Sequence, residues 1–257
     1  MIGFDDGVAL LETLGMSKRF GGFTAVDKVD FRLMAGARQA IIGPNGAGKT
    51  TFINLLTGAL EPTEGRVLLE GHDITRMAQS RRVKLGIART FQINRLFRGL
   101  TVLENVYIAV SERMGAAPRM FRPAGKRRDV LDEAMRLIEL LRLGDDAGRR
   151  IVELPYGRQR LVEIAIALGL EPKVLLLDEP MAGVPSAEGH IILDAIDRLP
   201  TEIGVLIIEH DMDVVFRFAQ HITVLVRGAV FAQGTPAEIK VNPDVRAVYL
   251  GQEGAHA

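Results

Sequence analysis

Residues 43–51 read GPNGAGKTT, and Gly43, Pro44, Asn45, Gly46, Ala47, Gly48, Lys49 and Thr50 satisfy every fixed position of GxxxxGK[ST], with Thr51 completing the string. Glycines let successive backbone N–H groups turn inward around phosphate oxygens, and a helix starting there adds its positive dipole end. Lys49 is then placed for the β and γ phosphates and the Thr50 hydroxyl for Mg²⁺. A second pattern lies at 174–179, VLLLDE, where four apolar residues run into paired carboxylates. At the carboxyl end of a buried parallel strand, Asp178 can hold Mg²⁺ and Glu179 can polarise an attacking water. Taken singly, the first string is also an ordinary glycine turn and the second a solvated strand end. Together, in one chain, they point to nucleotide phosphate chemistry.

The elements around these strings agree. Short β-like runs at 29–33 and 38–42 precede the glycine loop, and residues 50–57 have helical spacing with Gly58 placed to end them. A strand pair is expected near 66–70. TVLE at 101–104 is a capping box opening a helix to about residue 110, and a second helix is expected over 130–143, closed by Gly144. From Arg158, residues Leu161, Ile164, Ala165 and Leu168 form one buried stripe of a helix that Gly169 can end. Apolar strands at 174–177, 205–208 and 222–226 alternate with a helix marked by Ile192, Ala195, Ile196 and Leu199. Buried strands separated by amphipathic helices mean a parallel sheet covered on both faces.

Composition excludes several classes. With 257 residues, 47% of them hydrophobic and 25% charged, the chain is long enough for a large core and for two subdomains. Lys plus Arg and Asp plus Glu are both 32, so no bulk positive field favours nucleic acid. Zero cysteines remove disulfides, thiolate metal sites and thiol nucleophiles, which suits a reducing compartment. Acids occupy the first residues where a signal peptide carries base, and no apolar run approaches the roughly 18 residues a membrane span needs. The expectation is a soluble chain that is not exported. Neither internal repeats nor low-complexity segments stand out.

The remaining motifs make the chain resemble the ATP-binding subunit of an ABC transporter, over nearly its whole length. Phe20 in RFGG resembles the aromatic that stacks on adenine. Gln92 in RTFQ matches the Q-loop glutamine, which links metal and attacking water to the helical subdomain. LPYGRQ at 154–159 stands in the place of the LSGGQ signature, so Tyr156 and Gly157 are implied to meet the γ-phosphate of a nucleotide held by the other subunit. Residues 181–186 fall at the D-loop, and His210 in IIEHD matches the switch histidine at the γ-phosphate. Each has a plain alternative: Phe20 as a core aromatic, Gln92 as a surface amide, His210 as the cap of the next helix. Their order is what makes the pattern specific. Within the family the chain is similar to the LivG-like branch of branched-chain amino-acid importers and their urea, amide and aromatic-acid relatives. RFGGFTAVDKVDF, RTFQINRLFRGLTVLENV, LPYGRQR, IIEHDMDVV and the tail GTPAEIKVNPDVRAVYLG carry that similarity.

The resemblance implies an α/β fold: a P-loop NTPase (RecA-like) core with an antiparallel β subdomain, formed by residues 1–92 and 161–257, and a helical subdomain at 93–160. It implies ATP and Mg²⁺ as ligands, with Glu179, His210 and Gln92 in catalysis and Thr50, Gln92 and Asp178 toward the metal. Implied partners are a second ATPase subunit, a LivF-like paralogue or an identical copy, two transmembrane permease subunits and, indirectly, a solute-binding protein; no nucleic acid is implied. The implied place is the cytoplasm, peripheral on the inner face of the cell membrane. A non-transport ABC ATPase of DNA repair or ribosomes is the alternative; a P-loop kinase or GTPase leaves Gln92, LPYGRQ and His210 without roles. Two departures from the family pattern stand out. Pro155 replaces the signature serine, and Val184, Pro185 and Ser186 stand where the D-loop usually carries an aspartate or asparagine. A basic cluster, Arg119, Arg122, Lys126, Arg127 and Arg128, reads as a solvated loop or as a contact with anionic lipid or permease.

Overall fold

Residues 8–90, 96–115, 127–185 and 189–253 are described by the computed structural model. The chain begins with β1 (Leu11–Phe20), β2 (Phe23–Leu33), β3 (Arg38–Ile42), α1 (Lys49–Thr57), β4 (Glu64–Leu69), β5 (His72–Asp73) and α2 (Gln79–Lys84). It continues through β6 (Ile87–Arg89), α3 (Val102–Arg113), α4 (Arg128–Leu140), α5 (Tyr156–Gly169), β7 (Val174–Asp178) and α6 (Gly189–Ile196). Last come β8 (Gly204–Ile208), α7 (Met212–Phe218), β9 (His221–Val226), β10 (Ala229–Gly234), α8 (Pro236–Val241) and α9 (Pro243–Glu253). Residues 1–82 with 201–257 form one unit and 83–200 another.

In the first unit, β1 pairs antiparallel with both β2 and β4, in the order β2-β1-β4-β5. Leu11 faces Leu33 on one side and Leu69 on the other, and all three are buried. β2 starts at Phe23, ahead of the expected residue 29, because the interruption at Lys28, whose φ is 46°, bends the strand without ending it. The second sheet of this unit places β3 between β8 and β9, parallel to both, and β10 returns antiparallel to β9. Residues 40–42 and 205–208 are buried throughout, as a parallel sheet covered on both faces requires.

Helix α1 is fixed at both ends. The Phe52 ring meets Phe31 of β2 edge-on at 5.6 Å, an arrangement worth about 1 kcal/mol beyond area burial. At its carboxyl end Gly58 takes φ 76°. Arg82, only 1% exposed, donates from Nη1 to the Leu55 and Leu56 carbonyls at 2.8 Å each, from Nη2 to Thr75 O and from Nε to Met77 O. A cation on the last carbonyls opposes the negative end of the helix dipole, and its burial lowers the guanidinium pKa.

In the second unit, α3 opens with the expected capping box: Thr101 Oγ1 accepts from Glu104 N at 3.1 Å, and Glu104 Oε2 accepts from Thr101 N at 2.7 Å. Those hydrogen bonds hold the Glu104 carboxyl below its usual pKa. One helix end differs from expectation. α4 stops at Leu140, where Leu143 N donates to Ile138 O and Arg142 N to Glu139 O, with Arg142 in the left-handed region at φ 55°. An arginine therefore fills the position expected of Gly144, which opens a short 3₁₀ turn instead. α5 runs from Tyr156 through Gly169 and turns off at Glu171, φ 54°. Gly169 serves packing: a Cβ there would sit 3.2 Å from Val110 Cγ2 and 3.3 Å from Ala109 Cβ, so its absence lets α3 approach. Nor is α5 buried along one stripe, because Val162, Glu163 and Ala167 are buried as well. β6 and β7 pair in parallel, and every residue of β7 is buried. α6 ends at Ile196, leaving buried Leu199 beyond it.

Candidate nucleotide site

The loop between β3 and α1 is shaped by its glycines. Gly46 and Gly48 have φ 77° and 97°, a region that L side chains rarely enter. A Cβ on Gly48 would collide with the Ala25 carbonyl of β2, and one on Gly43 with the Leu225 carbonyl of β9, whereas Gly46 faces open space. Ala47 is buried, and its carbonyl accepts from Gly228 N at 3.0 Å, while Gly228 O accepts from Asp27 N at 2.8 Å. The β9–β10 turn thus clamps the loop onto β2. α1 begins at Gly48, which offers no side chain to its first N–H groups. Lys49 Nζ folds back on the loop, donating to Gly43 O at 2.6 Å and Pro44 O at 3.0 Å. Pro44 and Thr51 are partly covered, whereas Asn45 and Thr50 are exposed. A glycine-turned loop, a helix start without a side-chain cap and an ammonium folded onto the loop fit a phosphate group.

Phe20 is not a core aromatic. It ends β1 with 48% of its surface exposed, pairs across the hairpin with exposed Phe23, and carries Lys18 Nζ 5.2 Å from its ring centre. His210 follows β8 with a side chain 67% exposed, its Nδ1 3.7 Å from Oε2 of fully buried Glu209. The cap of α7 is Asp211, whose Oδ1 accepts from Asp213 N at 2.9 Å and Val214 N at 3.4 Å. His210 is therefore free of the structural duty weighed for it.

In the second unit, Asp178 ends β7 and is 2% exposed, with Nη2 of Arg89 2.6 Å from its Oδ2. Glu179 follows in the left-handed region at φ 47°, a strained backbone that turns the chain directly after the strand. Gln92 lies outside the described residues, as does Ser186. Pro155 is the N-cap of α5 at φ −55° and provides no side-chain cap; Gly157 is buried and Tyr156 is 36% exposed. The Tyr156 ring lies under the Arg160 guanidinium at 5.1 Å and would touch a Cβ on Gly183 at 3.1 Å. Among the described residues, no group of His, Cys, Asp or Glu could cage a metal by itself. In its own unit each oxygen donor, the Thr50 hydroxyl in the first and the Asp178 carboxylate in the second, is of the kind that Mg²⁺ takes.

A family model described as ABC transporter matches residues 26–182, and one described as branched-chain amino acid ATP-binding cassette transporter matches 229–255. The chain is 39% identical to the high-affinity branched-chain amino acid transport ATP-binding protein BraF of Pseudomonas aeruginosa, covering 95% of this chain and 98% of that one. It is 38% identical to LivG of Escherichia coli K12 over the same shares. The chain belongs to the ABC transporter ATP-binding cassettes. Among solved structures, the cassette MJ1267 in its ADP conformation superposes with a TM-score of 0.84 at 34% identity, covering 95% of this chain and all of that one.

The cassette is thus an α/β ATPase of the P-loop class, with a nucleotide as its ligand. Both signature departures gain a structural setting: Pro155 caps a helix, and the altered D-loop neighbours the Tyr156 ring. Sequence reasoning passed over Arg82, Arg89 and Arg160, of which Arg82 and Arg160 are buried and Arg82 and Arg89 reach partners far along the chain. It also passed over α8, although Thr235 and Glu238 form the same kind of capping box as Thr101 and Glu104, with Pro236 at the first turn. Of the basic cluster, Arg119, Arg122 and Lys126 lie outside the described residues; Arg127 pairs with Asp129 at 2.6 Å and holds that carboxyl down to about 2. Such an exposed pair adds little stability. Among the described residues no helix is long and apolar enough to cross a membrane.

Proposed function

We propose that this cassette is one of the paired ATPases of a solute importer for branched-chain amino acids or closely related small solutes. The observation that carries the reading is the end-to-end similarity to BraF and LivG, reinforced by the separate match of residues 229–255 to the branched-chain model. The relatives reported above are transport subunits and lend nothing to a role in DNA repair or on ribosomes.

Two cassettes close on two ATP molecules. In each, Gly43 to Thr51 bind the phosphates, Lys49 neutralises their β and γ oxygens, and Phe20 offers its exposed face to the base. Bound Mg²⁺ neutralises the phosphate oxygens; Thr50, Asp178 and Gln92 would hold it. Glu179 orients and deprotonates the attacking water, and His210, unburdened by a capping duty, contacts the γ-phosphate. Tyr156 and Gly157, at the start of α5, approach the γ-phosphate held by the partner cassette. Residues 93–160 act as the helical subdomain that carries this segment. The MJ0796 cassette, 25% identical with a TM-score of 0.74, has been solved as a dimer. A LivF-like paralogue is the proposed partner, with two permease subunits on the inner face of the cell membrane and a solute-binding protein beyond them.

The test is reconstitution. Co-expressed with a second cassette and two permeases in proteoliposomes, the chain should hydrolyse ATP faster when a leucine-loaded binding protein is added. Stimulation by an unrelated binding protein alone, with leucine-loaded protein inert, would reassign the solute; rapid hydrolysis by a proven monomer would remove the two-cassette site.

A further inference from the structure

Arg89, the last residue of β6, reaches the last residue of β7. Its Nη2 lies 2.6 Å from Asp178 Oδ2, with the two side chains 11% and 2% exposed. The pairing is built into the backbone: β6 and β7 run parallel with Arg89 opposite Leu176, and Thr90 N donates to Leu176 O at 3.0 Å, so the end of β6 is tied to β7 beside Asp178. A carboxylate at that depth cannot stand uncompensated, because taking one charge out of water costs several kcal/mol unless a partner neutralises it. Here the guanidinium is that partner. It reaches one carboxylate oxygen through one donor, Nη2.

A cation arriving at the same carboxylate must share it. We propose that Arg89 is a positioning residue that stands in for Mg²⁺ on Asp178: it keeps the carboxylate aimed, and by the same contact weakens the metal's hold. Mg²⁺ then strengthens nucleotide binding less than it would with a solitary aspartate. The inference rests on the reading of Asp178 as a metal-holding group.

The measurable quantity is the ratio of ATP dissociation constants in EDTA and in saturating Mg²⁺, obtained by equilibrium binding to the full chain without turnover. Arg89→Met, which keeps length and loses charge, is expected to raise that ratio about tenfold, within the usual range of coupling between two ligands. Arg89→Lys should return it toward the wild-type value. If Arg89→Met fails to fold, Arg89→Gln, still able to donate to Oδ2, should raise the ratio in the same direction. An unchanged or reduced ratio in the neutral variants overturns the proposal. Asp178→Asn separates the two ideas: it should cut the wild-type ratio, and if it does while Arg89→Met changes nothing, only the stand-in role fails. If Asp178→Asn leaves the ratio intact, the metal reading of Asp178 falls and this inference with it.

Discussion

Tyr156 and Gly183 meet across α5 and the turn after β7: a Cβ on Gly183, φ 77°, would lie 3.1 Å from the ring edge. From the same helix Arg160 covers the ring at 5.1 Å, pairs with Glu163 at 2.8 Å, and points Nη2 to the Ala182 carbonyl at 3.4 Å. The signature segment at Tyr156 and the D-loop at Gly183 are thus in contact within one chain. Tyr156, Arg160 and the Ala182–Gly183 turn form one packed unit.

That unit predicts a specific stability pattern. Arg160 and Glu163 are 3% and 8% exposed, so Arg160→Met strands a buried carboxylate and is expected to cost about 3–5 kcal/mol. Arg160→Met with Glu163→Leu should cost less than the single change, since both charges leave together. Urea denaturation of the two variants decides it; an equal or larger loss in the double variant would mean that packing, not charge, holds the helix start.

Glu179 and Lys49 should separate chemistry from binding. Glu179→Gln keeps the size of the side chain and loses the carboxylate, so MgATP should bind, hydrolysis should fall by about a hundredfold or more, and closed dimers should accumulate. Lys49→Ala should lose nucleotide binding instead. Near-wild-type hydrolysis by Glu179→Gln in the assembled transporter would transfer the water-activating role to Gln92 or His210.

What sequence alone made legible was local chemistry. The string at 43–51, the strand ahead of it and the α3 capping box each depend on residues within a few positions, and all formed as read. The end of α4 was misplaced because left-handed closure is done by Arg142, a residue type that carries no closing signal. Arg82 was invisible for another reason. Its carbonyl partners Leu55 and Leu56 become neighbours only once α1 and α2 have packed. The same holds for Arg89 with Asp178 and for Tyr156 with Gly183, pairs whose members lie far apart in the sequence. Phe20 shows the converse: its exposure sets aside the core aromatic weighed as its alternative.

His221 should give the first unit an acid-sensitive contribution. Burial lowers its pKa, opposed in part by Glu238, and its Nδ1 lies 3.2 Å from Gly234 O. The unfolded chain titrates near 6.5, so below that pH the unfolded state binds more protons and folding stability falls; above it the contribution is complete. His221→Gln should flatten the decline in urea midpoint between pH 7.5 and 5. An unchanged slope would assign the acid sensitivity to other groups.

The final prediction concerns Pro155. As N-cap of α5 at φ −55°, it leaves the first turn without a side-chain acceptor, so the N–H groups that follow remain available to an anion. A signature serine would add a hydroxyl, but a proline at this position restricts the approach to the helix and withholds only an N–H that precedes the helix itself. Pro155→Ser should therefore leave transport-coupled hydrolysis within about threefold of wild type, an effect smaller than one neutral hydrogen bond. Gly157→Glu should abolish it, because a bulky carboxylate beside those N–H groups blocks and repels phosphate. ATPase rates of both variants in the reconstituted complex provide the comparison. A large gain from Pro155→Ser would mean that this signature is a weakened half-site and that the partner's signature sustains most of the turnover.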